Sequence, residues 1–378
     1  MINLITPLND LGYGIVGKNI AKALYNKYSN LKIYPMGPTE NLLNVHKAGI
    51  SQGRYIDRTF PDLRIWHQFD MGYFISNKVK SGLTFFELDV LTKEEVSHLN
   101  SLDILFLPSY WHIDVARANG VASPKMVNLP MSVDTETFLD INTEYKNFVG
   151  YNNYGIMIFD EDKNKQDKPP TVFINCGKWE IRKGHDIIIE CFEEVFDERD
   201  NVRLIMNCQN PFIDNNHEWE ERYNAPNVKV IKNRLFSQSD LAKLFYMADV
   251  GIFPARAEGS NLEACELLAM GKHCIMSNYS GHEAYAVDAG AATFNFSKFE
   301  PADDGVFFDS AHPKWSGNPG KWGRITEKEK QVIKDYMWDF HVEKQAGRLK
   351  KNEKGLKFFK EWTWGSVADR IILNITEA

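Results

Sequence analysis

Short apolar runs alternate with amphipathic stretches along this chain. Ile2 to Thr6 precedes Lys18 to Lys27, and Asp103 to Leu107 precedes Trp111 to Asn119. Such short, mostly apolar runs read as strands covered on both sides, and the stretch after each predicts the crossover helix of a parallel α/β unit. The segment Phe159 to Pro170, FDEDKNKQDKPP, breaks the rhythm: it is charged and ends in two prolines, which disfavour both a helix interior and a central strand. It predicts an interdomain linker. Beyond it the rhythm restarts with a strand over Thr171 to Cys176, a helix over Asp186 to Phe196, a strand over Val202 to Met206, a helix over Ser239 to Met247 and a strand over Val250 to Phe253. Two domains are expected, residues 1–160 and 171–361. A final helix over Trp362 to Ile375 carries apolar Val367, Ile371, Ile372 and Ile375, a placement from which a helix can cross back onto the first domain. Ala311 to Arg324, rich in Gly, Pro, Trp and Lys, reads as an irregular surface loop.

Composition narrows the class. With 378 residues and 43% hydrophobic content the chain can bury two cores, which excludes a disordered or fibrous protein. The net charge of −7, with no run of like charges, gives no bulk attraction to nucleic acid, so an anionic partner would need a local basic patch. The five cysteines (Cys176, Cys191, Cys208, Cys265 and Cys274) show neither C-x-x-C nor zinc-type spacing, so neither a disulfide nor a structural metal is expected. The N-terminus lacks a basic leader followed by an apolar stretch, and no run of about 18 apolar residues occurs. A cytoplasmic location is the expectation.

The stretch that carries most chemistry is PARAEGSNLEACELLAMGKHCIMSNYSGHEAY, Pro254 to Tyr285. It follows a predicted buried strand and opens a helix near Asn261. Glu258 then lies before the helix, where it can face a ligand at the N-terminus. Glu266 lies about one and a half turns in, where its carboxylate can accept two ribose hydroxyls, and the free N–H groups of the helix start suit a diphosphate. A lone Glu pair would read as a cap and a surface residue; the surrounding residues alter that. E-G-x-x-L-x-x-x-E followed by A-M-G and S-G-H-E (Glu258, Gly259, Leu262, Glu266, Ala269, Met270, Gly271) resembles the nucleotide-sugar site of retaining glycosyltransferases of family 4, the glycosyl transferases group 1, which have the GT-B fold: two Rossmann-like domains facing each other across a donor cleft. The resemblance implies that Glu258 contacts the donor sugar, Glu266 the ribose, and the backbone of Gly259, Ser260, Asn261 and Leu262 the distal phosphate. Ser260-Asn261 stands where Phe-Gly is commoner.

Other segments extend the resemblance. In NCGKWEIRKGHDIIIECF, Asn175 to Phe192, the cations Lys178 and Lys183 flank a turn and can neutralise a departing diphosphate; Lys178 replaces the family's usual Arg and lacks its bidentate fork. Asn227 to Pro254 resembles the unit whose loop reads the base, which places the base pocket at Lys232 to Leu235 and Arg234 in position to stack. Gly12 and Gly14, in LGYGIVG, are implied to approach the donor phosphate and the acceptor. A dinucleotide fingerprint is disfavoured there, because Ile33-Tyr34-Pro35 stands where an acidic residue should end the second strand. Leu107 to Phe138 resembles the family stretch that closes the first domain, with Ser132 in place of a Gly. His67, after Ile65-Trp66, stands where many members place an active-site His; His112 and Glu87 are weaker candidates.

The expected activity is retaining transfer of a sugar from a nucleoside-diphosphate sugar, with UDP favoured, to a hydroxyl, with Glu258, Lys178, Lys183 and His67 at the reacting centre. The nucleotide sugar is a co-substrate, and neither a cofactor nor an essential metal is implied. The acceptor is open between a glycan, a lipid-linked sugar and nucleic acid. A modified base in viral DNA would call on Arg54, Arg58, Arg64, Lys78 and Lys80 as a cationic surface. A GT-B epimerase and a non-catalytic nucleotide-sugar binder are the contrasting readings.

Overall fold

The computed structural model describes residues 2–138, 168–231, 235, 237–309, 311, 313 and 317–378. Most of the expected linker, and the boundary at residue 160, lie outside them. Two six-stranded parallel sheets form the two domains.

In the first domain β1 (Ile2–Leu8), β2 (Leu31–Thr39), β3 (Asp62–Ile65), β4 (Lys80–Leu83), β5 (Ile104–Leu107) and β6 (Lys125–Asn128) lie in the order β2-β1-β3-β4-β5-β6. Crossovers run through α1 (Gly12–Lys27), α2 (Asn44–Gly53), α3 (Lys93–Asn100) and α4 (Tyr110–Ala118). The apolar runs are buried as the pattern requires: every residue of β1, β3 and β5 is covered. The first helix, however, begins at Gly12, not near Lys18. Glycine is a poor helix former in isolation, but here the missing side chains permit close packing: a Cβ on Gly14 would overlap Asn9, and one on Gly17 would overlap Thr6 and Pro7. Tertiary approach outweighs propensity, and Val16, Ile20 and Leu24 then face the sheet.

In the second domain β7 (Thr171–Gly177), β8 (Val202–Cys208), β9 (Val228–Val230), β10 (Val250–Phe253), β11 (His273–Ser277) and β12 (Ala292–Phe294) lie in the order β12-β11-β10-β7-β8-β9. Their connecting helices are α5 (His185–Val195), α6 (Asn216–Arg222), α7 (Gln238–Met247) and α8 (Leu262–Ala269). The five thiols are all buried and unbridged.

Two further features tie the domains together. Part of the segment expected to be an irregular loop is ordered: β13 (Lys298–Pro301) pairs antiparallel with β14 (Lys321–Arg324). The cause is Trp322, whose buried ring sits with Leu88, Ala257 and Ala302, so the strand is pinned by a small core shared with the first domain. The hairpin also donates Lys321 N to Asp89 Oδ1 at 2.6 Å. The chain ends in α9 (Glu327–Gln345), α10 (Glu353–Glu361) and α11 (Trp364–Thr376). The first packs on the β7–β12 sheet through Ile333 and Met337, whereas α11 buries Val367, Ala368, Ile371 and Ile375 in the first-domain core. Ser132 Oγ donates to Trp362 O at 2.7 Å at that crossing, a bond that a Gly there would not make. Among the described residues no helix is long and apolar enough to cross a membrane.

Candidate active site

Strand order reverses between β1 and β3 in the first sheet and between β10 and β7 in the second, and ligands of open α/β sheets bind outside the strand ends at such switch points. Both switch points open into one cleft of about 580 Å³ between the domains.

Its second-domain wall is built from the loops after β7 and β10. Gly184 holds the first loop: it adopts φ +75, and a Cβ there would overlap the Pro254 carbonyl, so only glycine fits. His185 fixes the same loop from beneath, its Nδ1 accepting from Glu180 N at 3.1 Å and its Nε2 donating to Asn175 Oδ1 at 2.9 Å. Burial, aided by nearby Lys183, lowers its pKa to about 3, which keeps the ring neutral and this tautomer in place.

The loops meet in an ion cluster. Lys183 Nζ donates to Glu258 Oε1 at 2.6 Å, and Arg182 Nη1 donates to Glu258 Oε2 at 2.9 Å. Arg182 also reaches Glu180 Oε2 at 2.7 Å and the Ala257 carbonyl, and Lys178 Nζ lies 3.0 Å from Glu180 Oε1. Burial opposes ionisation of Glu258, but Lys183 and Arg182 prevail and hold its carboxyl well below the usual range. Three cations against two carboxylates leave one net positive charge at the cleft floor. Lys178 is the more exposed cation, flanked by the Phe212 and Phe307 rings.

Next to this cluster the opening turn of α8 faces the cleft, with Gly259, Ser260, Asn261 and Leu262 in its lining. Asn261 adopts φ 65, a left-handed conformation that Asn tolerates better than most residues, which explains how it stands where Gly is commoner. Its Oδ1 caps Ala264 N at 3.2 Å, while its Nδ2 donates to His282 Nε2 at 2.9 Å. Burial lowers the His282 pKa to about 4, so the ring stays neutral and able to accept. Tyr285 hydroxyl bonds the Ser260 and Asn261 carbonyls at 3.0 and 3.1 Å, and Ser280 Oγ accepts from Glu258 N at 2.7 Å. Glu266, one turn further, lines the cleft with its Oε2 buried and without a hydrogen-bond partner among the described residues. Burial, with Glu263 and Asp134 nearby, raises its pKa well above the usual range.

The first-domain wall is of another kind. Tyr13 stacks on Phe85 at 3.9 Å, and its hydroxyl donates to the Phe85 carbonyl at 2.8 Å. His67 lines the cleft, its ring 4.5 Å from Tyr13 and stacked on Phe69 at 5.1 Å. Glu87 also lines it, near enough to Arg182 for the guanidinium to offset part of the rise that burial imposes on its pKa.

Of the residues expected from sequence, Glu258, Glu266, Lys178, Lys183, His67, Gly12, Gly259, Ser260, Asn261 and Leu262 meet in this one cleft. Gly14 is not among its lining residues: it packs against Asn9 in the first helical turn. His112 is fully buried, held by Ser109 Oγ at 2.8 Å and the Phe86 carbonyl at 2.9 Å, and does not reach the cleft. Arg234 and the loop residues 232–234 lie outside the described residues; Leu235, Ser237 and Gln238 line the end of the cleft beside them. Arg64 is no part of a cationic surface, because its guanidinium is buried and bonded to Asp70 at 2.8 Å. Arg182, Glu180, His185, His282 and Tyr285 were not singled out. Glu180 and Arg182 sit in EIRK beside Lys183, but a run of mixed charges reads as a solvated face until the fold buries it.

Residues 170–304 match the family described as glycosyl transferases group 1. That match covers most of the second domain. The whole architecture is that of the GT-B glycosyltransferases. An alpha,alpha-trehalose-phosphate synthase (UDP-forming) from Burkholderia vietnamiensis superposes over 100% of this chain and 98% of its own, with TM-score 0.64 and 10% identity. A sucrose-phosphate synthase from Thermosynechococcus elongatus gives TM-score 0.63 with 12% identity, over 100% and 98% of the two chains. Anabaena HepE, solved in complex with UDP and glucose, gives TM-score 0.61 with 11% identity, over 100% and 99%. No curated protein is similar to the chain in sequence.

Proposed function

We propose that this glycosyltransferase moves a sugar from a nucleoside-diphosphate sugar, with UDP-sugar favoured, to an acceptor hydroxyl with retention of anomeric configuration. The observation that carries the reading is the juxtaposition, on one cleft wall, of the Lys178–Arg182–Lys183 cluster and the buried, unpartnered Glu266 oxygen on α8. A ribose diol satisfies Glu266, the diphosphate lies along the opening turn of α8 toward the lysines, and the sugar meets Glu258. That the Anabaena neighbour was solved with UDP and glucose supports the choice of base.

In the reaction the bond from the anomeric carbon to the phosphate oxygen breaks, and its electron pair stays on the leaving diphosphate. The acceptor oxygen bonds to the same face of that carbon, and its proton passes to the departing phosphate oxygen. Charge therefore grows on the diphosphate in the transition state, where Lys183 and Lys178 stabilise it. In the ligand-free chain Lys183 is engaged with Glu258, so donor binding shifts part of that ion pair's charge toward the phosphate. Arg182 stays with Glu180 and Glu258 and keeps the carboxylate fixed for the sugar hydroxyls.

Anomeric proton NMR of the product from UDP-glucose tests the mechanism: an α linkage is expected, and a β linkage contradicts retention. Conversion of a sugar nucleotide to its epimer without an acceptor would replace transferase by epimerase. The burial of Arg64 removes one of the five cations that a DNA acceptor would have used.

A further inference from the structure

The acceptor side of the cleft carries chemistry that the donor motifs do not explain. Its first-domain wall presents stacked aromatic rings, Tyr13 on Phe85 at 3.9 Å with Trp66 5.6 Å from Tyr13. Among polar groups it presents the carboxylates of Glu87 and Asp10, the Asn9 amide and the His67 ring. Among the described residues no first-domain lysine or arginine lines the cleft; Lys178, Arg182 and Lys183 all belong to the opposite wall. The nearest cation on α1, Lys18, is half-buried in an ion pair with Asp10.

Resting on the donor reading above, we propose that the acceptor is a neutral, hydroxyl-rich sugar ring, stacked on the Tyr13–Phe85–Trp66 surface with hydroxyls donated to Glu87, and that phosphorylated acceptors are rejected. Sugar rings offer an apolar face to aromatic side chains and hydroxyls at their edges, which matches a wall of rings bordered by acceptors. A phosphate monoester or a nucleic-acid backbone placed there would meet the Glu87 carboxylate, and among the described residues no first-domain lysine or arginine lines the cleft to offset it. The three cations opposite are already shared among Glu180, Glu258 and the donor diphosphate. Glu87 is thus the acceptor's hydrogen-bond partner and, when ionised, a charge that excludes anions. Burial raises its pKa while Arg182 opposes the rise, and in either protonation state an oxygen remains to accept from a hydroxyl.

The test uses the full chain saturated with UDP. UDP binding is read first by thermal shift, so failure there strikes the donor reading and not this one. Maltose, cellobiose, glucose 6-phosphate and a hydroxymethylcytosine-containing duplex are then titrated by ligand-observed NMR, and as acceptors with UDP-glucose. A neutral disaccharide is expected to bind at least about 100-fold more tightly than glucose 6-phosphate or the duplex. Glu87→Lys should narrow that preference at least about tenfold. Glu87→Gln, which keeps the shape, should preserve neutral-sugar binding while weakening the rejection of glucose 6-phosphate. Preference for glucose 6-phosphate or the duplex overturns the proposal. So does the absence of any response to neutral sugars in protein that still binds UDP, and so does an unchanged preference in both Glu87 variants.

Discussion

The two walls of the cleft are made by sheets of similar topology yet differ in what holds them. The second-domain wall is a network of buried charges, in which Glu258 is gripped by Lys183 and Arg182, and Asn261 by His282. The first-domain wall is held by rings, with Tyr13 stacked on Phe85 and His67 on Phe69. On the proposed reading, a diphosphate is the same in every donor, so the wall that would bind it can use a fixed charge pattern. An acceptor varies, and stacking surfaces adapt to it without a strict motif.

The largest expected difference between the walls follows from Glu258→Ala. Removing a carboxylate that engages two buried cations leaves them uncompensated, a loss of about 3 to 5 kcal/mol of stability, and turnover should fall by about 100-fold or more. Urea melts and initial rates of UDP release check both; wild-type turnover would remove Glu258 from the reacting centre.

Glu266→Ala should separate affinity from stability. Two lost hydrogen bonds from a carboxylate predict about a 10- to 100-fold weaker Kd for UDP. The ligand-free variant should be at least as stable as the wild type, because a buried unpartnered oxygen is removed. Calorimetric titration and a melt of the free protein decide this, and parallel losses in both would make Glu266 structural.

On the first-domain side, Gly14→Ala should cost about 1 to 3 kcal/mol, because its Cβ would collide with Asn9. Gly12→Ala, where a Cβ meets nothing within 4 Å, should leave the melting temperature unchanged. Equal melting temperatures for the two variants would refute the packing role assigned to Gly14.

The last effect is a slope. His112 is neutral in the fold because burial lowers its pKa from 6.5 to about 3. At pH 7 neither state is protonated. Below about pH 6.5 the unfolded chain takes up a proton that the folded chain refuses, so stability falls by about 1.4 kcal/mol per pH unit, until the folded His112 also titrates. His112→Gln should reduce the change in urea midpoint between pH 7 and pH 5 by this share, with His185 and His282 keeping theirs, while leaving the UDP response intact. A lost UDP response would bring His112 back into the site.

The same contrast explains what could be read from the sequence. Both parallel sheets were legible because fully buried strands such as Ile104–Leu107 and Val250–Phe253 are unbroken apolar runs. The second-domain wall was legible because Glu258 and Glu266 keep a fixed spacing across a strand end and a helix start. Arg182 was not, since only the fold turns a charged neighbour of Lys183 into a buried clamp on Glu258. Gly12 and Gly14 look alike in sequence, and only the approach of Asn9 separates them. The pairing of Lys321–Arg324 with Lys298–Pro301 depends on a Trp322 pocket assembled from residues more than 200 positions apart, which local pattern does not encode.

The most direct measurement is the stabilisation of the wild-type chain by UDP, beside GDP and ADP, with Glu266→Ala as control. Ligand at 100 times its Kd should raise the folding free energy by about 2.7 kcal/mol. A response selective for UDP and lost in Glu266→Ala is the expected result. No response to any of the three nucleotides, or an equal response in the variant, would contradict a donor site built on Glu266.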